Sequence, residues 1–364
     1  MSKNTLIPRV IALYLPQFHP IPENDTWWGK GFTEWTNVGK AKPLFRDHYQ
    51  PRVPADLGYY DLRLSEVRQA QADLAKMYGV EGFCYWHYWF GKGKRLLERP
   101  FNEVLQSGEP DFPFCLGWAN HSWKGIYAGV KGKESLIEQT YNGLEDYENH
   151  FYDVLPAFQD KRYIKVNGKV FFLIFDPFDI PDIKEFIDFW QQLAVTSGIE
   201  GIHFVAHTYH SDKIQYLLDS GFDAVNVVRL FDFHKRGISF FEKVRNKINR
   251  EVFKKGAFYD YKKAIKCFSD IEDREENVYP TIIPDWDHSP RTGKYGTILK
   301  GANPDLFGKH IRRTFEDVKG KPDEQKIVIL KSWNEWAEGN YIEPDLKFGT
   351  KYLEILKREL EHAK

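Results

Sequence analysis

Three cysteines in 364 residues, Cys84, Cys115 and Cys267, with no C-x-x-C pair among them, exclude a disulfide framework and a zinc knuckle. A dominant sign of charge is also missing. The chain carries 51 Lys and Arg against 52 Asp and Glu, a net −1 that argues against a chain-wide electrostatic grip on nucleic acid. Nowhere do about 18 apolar residues run together, so no membrane span is expected. The N-terminal run Val10 to Leu15 sits between Pro8 and Pro16 without a small-residue cleavage site, and it reads as a buried strand rather than a signal peptide. The cytoplasm is the default compartment. Gly91-Lys92-Gly93 lacks the third glycine of a dinucleotide fingerprint. His207 and His210, with His87, His121 and His288 near predicted strand ends, show no H-E-x-x-H or comparable spacing. Neither a metal nor an organic cofactor is therefore expected.

What the chain does have is aromatic side chains: 11 Trp, 20 Tyr and 28 Phe, enough to build both a core and the flat surfaces that stack on ligands. Short runs rich in β-branched and aromatic residues alternate with stretches of helical period, which predicts a parallel sheet wrapped by helices. Eight strands are expected, over 10–15, 82–89, 114–118, 170–175, 203–206, 224–228, 279–283 and 327–332. Eight is the number that closes a (β/α)8 TIM barrel, so the reading is a single α/β catalytic barrel domain over 1–364. Helices are expected from Ser65 to Met77, from Ile183 to Leu193 and from Tyr352 to His362.

Two loop insertions stand out. Residues 16–64, after the first strand, are rich in Pro, Gly and Trp and would lie on the catalytic face of a barrel. Residues 231–278, after the sixth, contain a basic segment, 235–266, with 11 Lys and Arg against Glu242, Glu251 and Asp260. Phe241, Val244, Ile248 and Val252 fall on one helical face there. The expected arrangement is a solvated helix packing that apolar stripe on the barrel. The alternative is a basic amphipathic helix lying on an anionic membrane, which would make the protein peripheral to the inner membrane.

The chemistry should sit where the eighth strand ends, in Lys331-Ser332-Trp333-Asn334-Glu335-Trp336-Ala337-Glu338-Gly339-Asn340-Tyr341-Ile342-Glu343-Pro344. Glycoside cleavage needs two carboxyl groups on opposite duties, one protonated and one ionised. Glu335 and Glu338 could supply the pair if the chain bends after Trp336. Burial against Trp333 or Trp336 would raise one pKa, and an amide such as Asn334 could keep the other group ionised. The plainer alternative is that both are solvated loop residues or salt-bridge partners. Other strand ends offer Gln17 and His19, Tyr85 and His87, Trp118 and Asn120, and Asp285 and Trp286, while Glu34 and Trp35 could close over a substrate from the long first loop. Aromatic faces suit pyranose rings, and amide and carboxylate groups suit hydroxyls.

The segment Trp333 to Gly339, with Ile342-Glu343-Pro344 after it, resembles the catalytic signature of glycoside hydrolase family 99, whose members are (β/α)8 endo-acting α-mannosidases and mannanases. The rest of the chain is similar to the WbsX-type, family 99-like proteins of bacterial polysaccharide biosynthesis. The matching stretches are Tyr14 to Pro20, Trp27 to Trp35, Phe114 to Asn120 and Trp286 to Arg291. The resemblance implies a retaining mechanism on α-linked, mannose-like polysaccharide or oligosaccharide. Glu335 would act as base on the sugar 2-OH, closing an anhydro-sugar, and Glu338 as acid that later activates water. Trp333, Asn334, Trp336 and Glu343 would join the substrate-binding set. Where many WbsX-type sequences carry a carboxylate after Trp118-Ala119-Asn120, this chain has His121-Ser122. WbsX-type proteins are often called glycosyltransferases, and Asp285-Trp286-Asp287 has the D-x-D form that can hold a divalent ion against a diphosphate. A glycosyltransferase of lipopolysaccharide or capsule assembly and a non-catalytic glycan-binding barrel are the alternatives.

Overall fold

A computed structural model describes residues 7–124, 135–253 and 255–364. Lys254 of the basic segment lies outside the described residues. Eight strands form the centre: β1 Arg9–Tyr14, β2 Gly82–Trp89, β3 Phe114–Trp118, β4 Lys169–Ile174, β5 Ile202–Thr208, β6 Ala224–Val227, β7 Val278–Ile282 and β8 Ile327–Leu330. Each pairs in parallel with its neighbours in chain order, and β8 pairs with β1 through Arg9↔Ile327 to Ala12↔Leu330, which closes the ring. The fold is a (β/α)8 TIM barrel. All eight expected strands form within one or two residues of their predicted bounds. Strands buried on both faces read as nearly continuous apolar runs, and that is what made them visible.

Helices return the chain between strands and cover the sheet with one apolar face each. Ile183–Thr196 buries Phe186, Ile187, Trp190, Leu193 and Ala194, a helical stripe, and stops before Gly198 at φ 77°. Lys351–His362 buries Tyr352, Leu353, Ile355, Leu356 and Leu360 against Pro304–Val318. Among the described residues no helix is long and apolar enough to cross a membrane.

The first insertion carries two short helices, Pro22–Trp28 and Glu34–Lys40. The second carries the helix Phe240–Glu251 and the strand Ala257–Asp260, which pairs in parallel with Thr297–Lys300 from the loop after β7. A satellite core of Val228, Leu230, Phe233, Tyr261, Phe268, Ile283, Trp286 and Leu299 seats both segments on the barrel end. The expected packing of the helix stripe on the barrel is not found. Phe241 is 82% exposed, and Val244, Ile248 and Val252 are exposed as well. The helix is held by its polar side, where Asn246 donates to the Phe258 carbonyl at 3.0 Å and accepts from its N–H at 3.2 Å.

Candidate active site

Beyond Leu330 the chain leaves the barrel and makes a small hairpin, Asn334–Glu335 against Asn340–Tyr341, around a 3₁₀ turn at Trp336–Glu338. Gly339 closes the turn at φ 62°, where a Cβ would stand 2.8 Å from Asp287 Cβ and 2.9 Å from an Arg52 nitrogen. Only glycine fits both the angle and the space. The bend places the Glu335 and Glu338 carboxylates on one guanidinium. Arg291 Nη2 donates to Glu335 Oε2 at 2.9 Å, and Nη1 to Glu338 Oε1 at 2.6 Å. Sharing one guanidinium keeps the two groups well inside the separation of about 9.5 Å beyond which two-carboxylate glycoside chemistry is not seen.

Glu34 completes the cluster. Thr33 caps the helix Glu34–Lys40 with a capping box, and the Glu34 N–H donates to the Gln17 carbonyl at 3.1 Å. This directs its side chain to Arg291, whose Nε donates to Glu34 Oε2 at 3.2 Å. Lys331 is buried beside the group, with its Nζ 5.7 Å from the Trp286 ring centre, and Trp286 stacks on His288. His288 Nε2 lies 3.8 Å from Glu338 Oε1. Three carboxylates face two permanent cations, so one proton brings the cluster to neutrality.

The environment says where that proton rests. Burial, with repulsion from Glu338 and Glu34, pushes the Glu335 carboxyl up to about 7 against the pull of Arg291. Burial acts on Glu338 too, but Arg291, Lys331 and His288 outweigh it and hold that carboxyl below its ordinary value. Glu335 is therefore the member that holds a proton more readily and Glu338 the one that ionises first. Asn334, the amide expected to keep one group ionised, instead zips the hairpin to the exit of β1: Oδ1 accepts the Leu15 N–H at 2.8 Å and Nδ2 donates to the Leu15 carbonyl at 3.0 Å. The Ser332 hydroxyl accepts the Glu335 N–H at 3.0 Å and fixes the residue's backbone.

Several expected residues lie elsewhere. Tyr85 and His87 do share a face of β2, but it is the outer one. Tyr85 packs on Phe101 of the helix Arg99–Ser107, and His87 Nε2 lies 2.9 Å from His150 Nε2 of the helix Leu144–Phe158. The opposite parity, Trp86 and Tyr88, faces inward. Trp86 meets Phe175 and His207 edge-on, and the Tyr88 hydroxyl is pushed up by burial and by the charge of Glu335. Trp118 is also turned outward, onto His150 and Phe186, with its Nε1 donating to the Trp89 carbonyl at 3.0 Å. Asn120 is fully buried and ties the Asp176 backbone with bonds of 2.7 and 2.8 Å. His19 is buried with its Nδ1 on the Pro16 carbonyl, while Gln17 stays half-exposed at the mouth of the first loop.

Behind the hairpin, Glu343 is buried and accepts from Trp336 Nε1 at 2.6 Å, Gln71 at 2.7 Å and Tyr60 at 2.9 Å, so it braces the turn. Trp336 stacks on Tyr341 and touches Trp35, whose own Nε1 donates to the Tyr60 carbonyl; Trp333 is fully buried against Phe83. These rings pack the wall behind the carboxylates. Asp285 is bound by Arg52 at 2.7 Å, and one Asp287 oxygen is shared by His48 and Gln50, each at 2.7 Å. The D-x-D carboxylates are thus engaged by protein donors. Arg291, Lys331, His288 and Tyr88 were not among the expected site residues, although Lys331 opens the acidic segment and His288 and Arg291 lie in the matching stretch Trp286 to Arg291. The signal for Arg291 was electrostatic: three acidic side chains crowded at a buried rim require a counter-charge.

The sequence profile of the WbsX glycosyltransferase family matches residues 10–356. The chain belongs to this family. It is 35% identical over 360 residues to the uncharacterized protein WxcX of Xanthomonas campestris pv. campestris, an alignment covering 99% of this chain and 50% of WxcX. The chain spans about half the length of the curated relatives it matches. Among solved structures, the family 99 endo-α-mannosidase from Bacteroides thetaiotaomicron superposes with a TM-score of 0.57 at 13% identity, covering 98% of both chains. A glycoside hydrolase-like protein gives 0.60 at 17% identity over 99% of this chain and 95% of its own. Membership of the WbsX family places the chain among carbohydrate-active proteins, and the barrel is of the kind that family 99 uses.

Proposed function

We propose that the whole chain works as one catalytic barrel, a retaining endo-glycosidase on α-linked, mannose-like polysaccharide or oligosaccharide, with Glu335 and Glu338 as its working pair and no cofactor. It acts in the cytoplasm, on glycan presented at the inner membrane surface. The observation that carries this reading is that two buried carboxyl groups at the end of β8 share one guanidinium and are displaced in opposite directions from their ordinary pKa. That division of labour is what glycoside cleavage requires.

In the first step one carboxylate takes the 2-OH proton as O2 attacks the anomeric carbon. The glycosidic C–O bond breaks, and the leaving oxygen takes a proton from the other carboxyl group. Water then opens the anhydro-sugar as both transfers run in reverse, so configuration is retained. The resting charges favour Glu335 as proton donor and Glu338 as base, the reverse of the roles implied by the family 99 resemblance. Arg291 must loosen its hold on Glu338 as substrate enters, because a base bound at 2.6 Å to a guanidinium is weak. A glycoside whose leaving group needs no protonation separates the roles: it restores turnover to the variant lacking the acid and not to the one lacking the base. Rescue of E335Q supports the resting-charge assignment, and rescue of E338Q supports the other.

The family's description favours a second reading, transfer from an activated sugar. The engagement of Asp285 and Asp287 by Arg52, His48 and Gln50 weighs against their holding a metal diphosphate. Release of a nucleoside diphosphate dependent on Mn²⁺, without cleavage of oligosaccharide, would establish transfer.

A further inference from the structure

The helix Phe240–Glu251 is mounted the wrong way round for a globular protein. Its polar side faces the body: Asn246 is buried on the Phe258 backbone, Glu242 pairs with Lys263 at 3.1 Å, and Ser239 and Glu242 form a capping box at its start. Its apolar side faces out. Phe240 is 75% exposed and Phe241 82%, and Val244, Ile248, Val252 and Phe253 continue the strip. A contiguous apolar strip of this kind on a water-soluble surface marks an interaction site. The same helix carries exposed Lys243, Arg245 and Lys247, with Lys235 and Arg236 shortly before it, Lys255 shortly after it and Lys262 and Lys266 further along the insertion. Glu251 and Asp260 are the exposed acids among them, while Glu242 is bound to Lys263 and Asp270 to Arg236. Between the helix and the body lies a cavity of about 700 Å³, walled by Arg245, Lys262, Lys263 and Lys300 against Glu242 and Asp260. It shares no residue with the carboxylate cluster.

We propose that this face docks the protein on an anionic phospholipid bilayer. Phe240, Phe241 and the aliphatic strip enter the acyl boundary, and the surrounding lysines and arginines meet headgroup phosphates. An apolar strip bordered by cations matches a membrane interface in both respects, since apolar burial and attraction to anionic lipid add. A protein partner buried on the same strip would have to leave those cations facing its own surface. The insertion springs from the C-terminal end of β6, on the rim that carries the carboxylates. Phe231 at its start meets Trp286 edge-on at 5.7 Å, and Trp286 stacks on His288 beside Glu338. Docking here would bring the barrel mouth toward glycan carried at the membrane. The proposal rests on the glycan-processing reading only for that last consequence.

The test is flotation of the full chain with vesicles of phosphatidylcholine alone or with about 30% phosphatidylglycerol, at low and at high salt. Wild type should float with the anionic vesicles at low salt and not with the neutral ones. F240S/F241S and K243Q/K247Q should each weaken partition at least tenfold with unchanged circular dichroism and melting. E335Q should float as wild type does, so loss of turnover and loss of docking are read separately. Absence of wild-type flotation, or flotation unaffected by F240S/F241S, would overturn the proposal. So would a solution dimer that F240S/F241S dissociates in the absence of lipid-dependent flotation, which would assign the strip to a second copy.

Discussion

Replacing Glu335 by Gln should lower turnover at least about 10²-fold and, at alkaline pH, make the protein more stable. Glu335 ionises at about 7 in the folded chain against an ordinary 4.5, because it is buried beside two other carboxylates. A carboxyl whose folded pKa is raised holds its proton more tightly folded than unfolded. Ionising it therefore costs stability, beginning above the ordinary pKa and complete above the folded one. The gap corresponds to about 3 kcal/mol at pH 8. Gln cannot ionise, and the remaining Glu34 and Glu338 still balance Arg291 and Lys331. The lost charge-assisted bond to Arg291 offsets part of the gain, leaving about 1–3 kcal/mol, or roughly 1–4 °C in Tm for a chain of this length. Calorimetric melting of wild type and E335Q at pH 5 and pH 8 checks this. Glu343, also raised to about 7 by burial, contributes equally to both proteins and cancels. A difference that is the same at both pH values, or a variant less stable at pH 8, would refute the reasoning.

Other consequences follow from the same cluster. R291M should raise the pKa of Glu338, so the acid limb of the kcat/KM profile moves to higher pH and activity at pH 5 falls further than at pH 7.5; an unmoved limb would show that Arg291 does not set that charge. Y88F should lower kcat, while Y85F leaves it unchanged, because only Tyr88 lies in the field of Glu335; equal effects in a steady-state assay would contradict the strand parity. G339A forces a side chain to φ 62° within 2.8 Å of Asp287 Cβ, and should cost about 1–3 kcal/mol in chemical denaturation, with activity falling as the turn shifts.

The eight strands and the long insertions after the first and sixth of them could be read from the sequence because they depend on local pattern: runs of apolar residues, helical stripes and turn residues. Which face of β2 looks inward could not. A strand buried on both sides carries no polar–apolar contrast, so Tyr85 and His87 resemble Trp86 and Tyr88 until closure of the ring and packing of the helices decide between them. The helix Phe240–Glu251 poses the same difficulty in another form. Its periodicity reveals two unlike faces, but which is turned to the body depends on a partner 12 residues away, the Phe258 backbone that Asn246 meets. At the candidate site the glutamates and Arg291 each stood in a recognisable segment, but the two segments are 44 residues apart and no local pattern dictates that they meet. Asn334 and Glu343 belong to that same segment yet spend their polar atoms on backbone and on Trp336, Gln71 and Tyr60. Proximity in sequence to the acidic pair does not dictate which partners a polar side chain takes.

The most direct test incubates wild type, E335Q and E338Q with the source organism's own surface polysaccharide and follows the first-formed anomer by NMR. The account predicts cleavage by wild type with the anomeric configuration retained and a fall of at least about 10² in rate for each variant. Wild-type turnover in both variants, or an inverted first product, would contradict it.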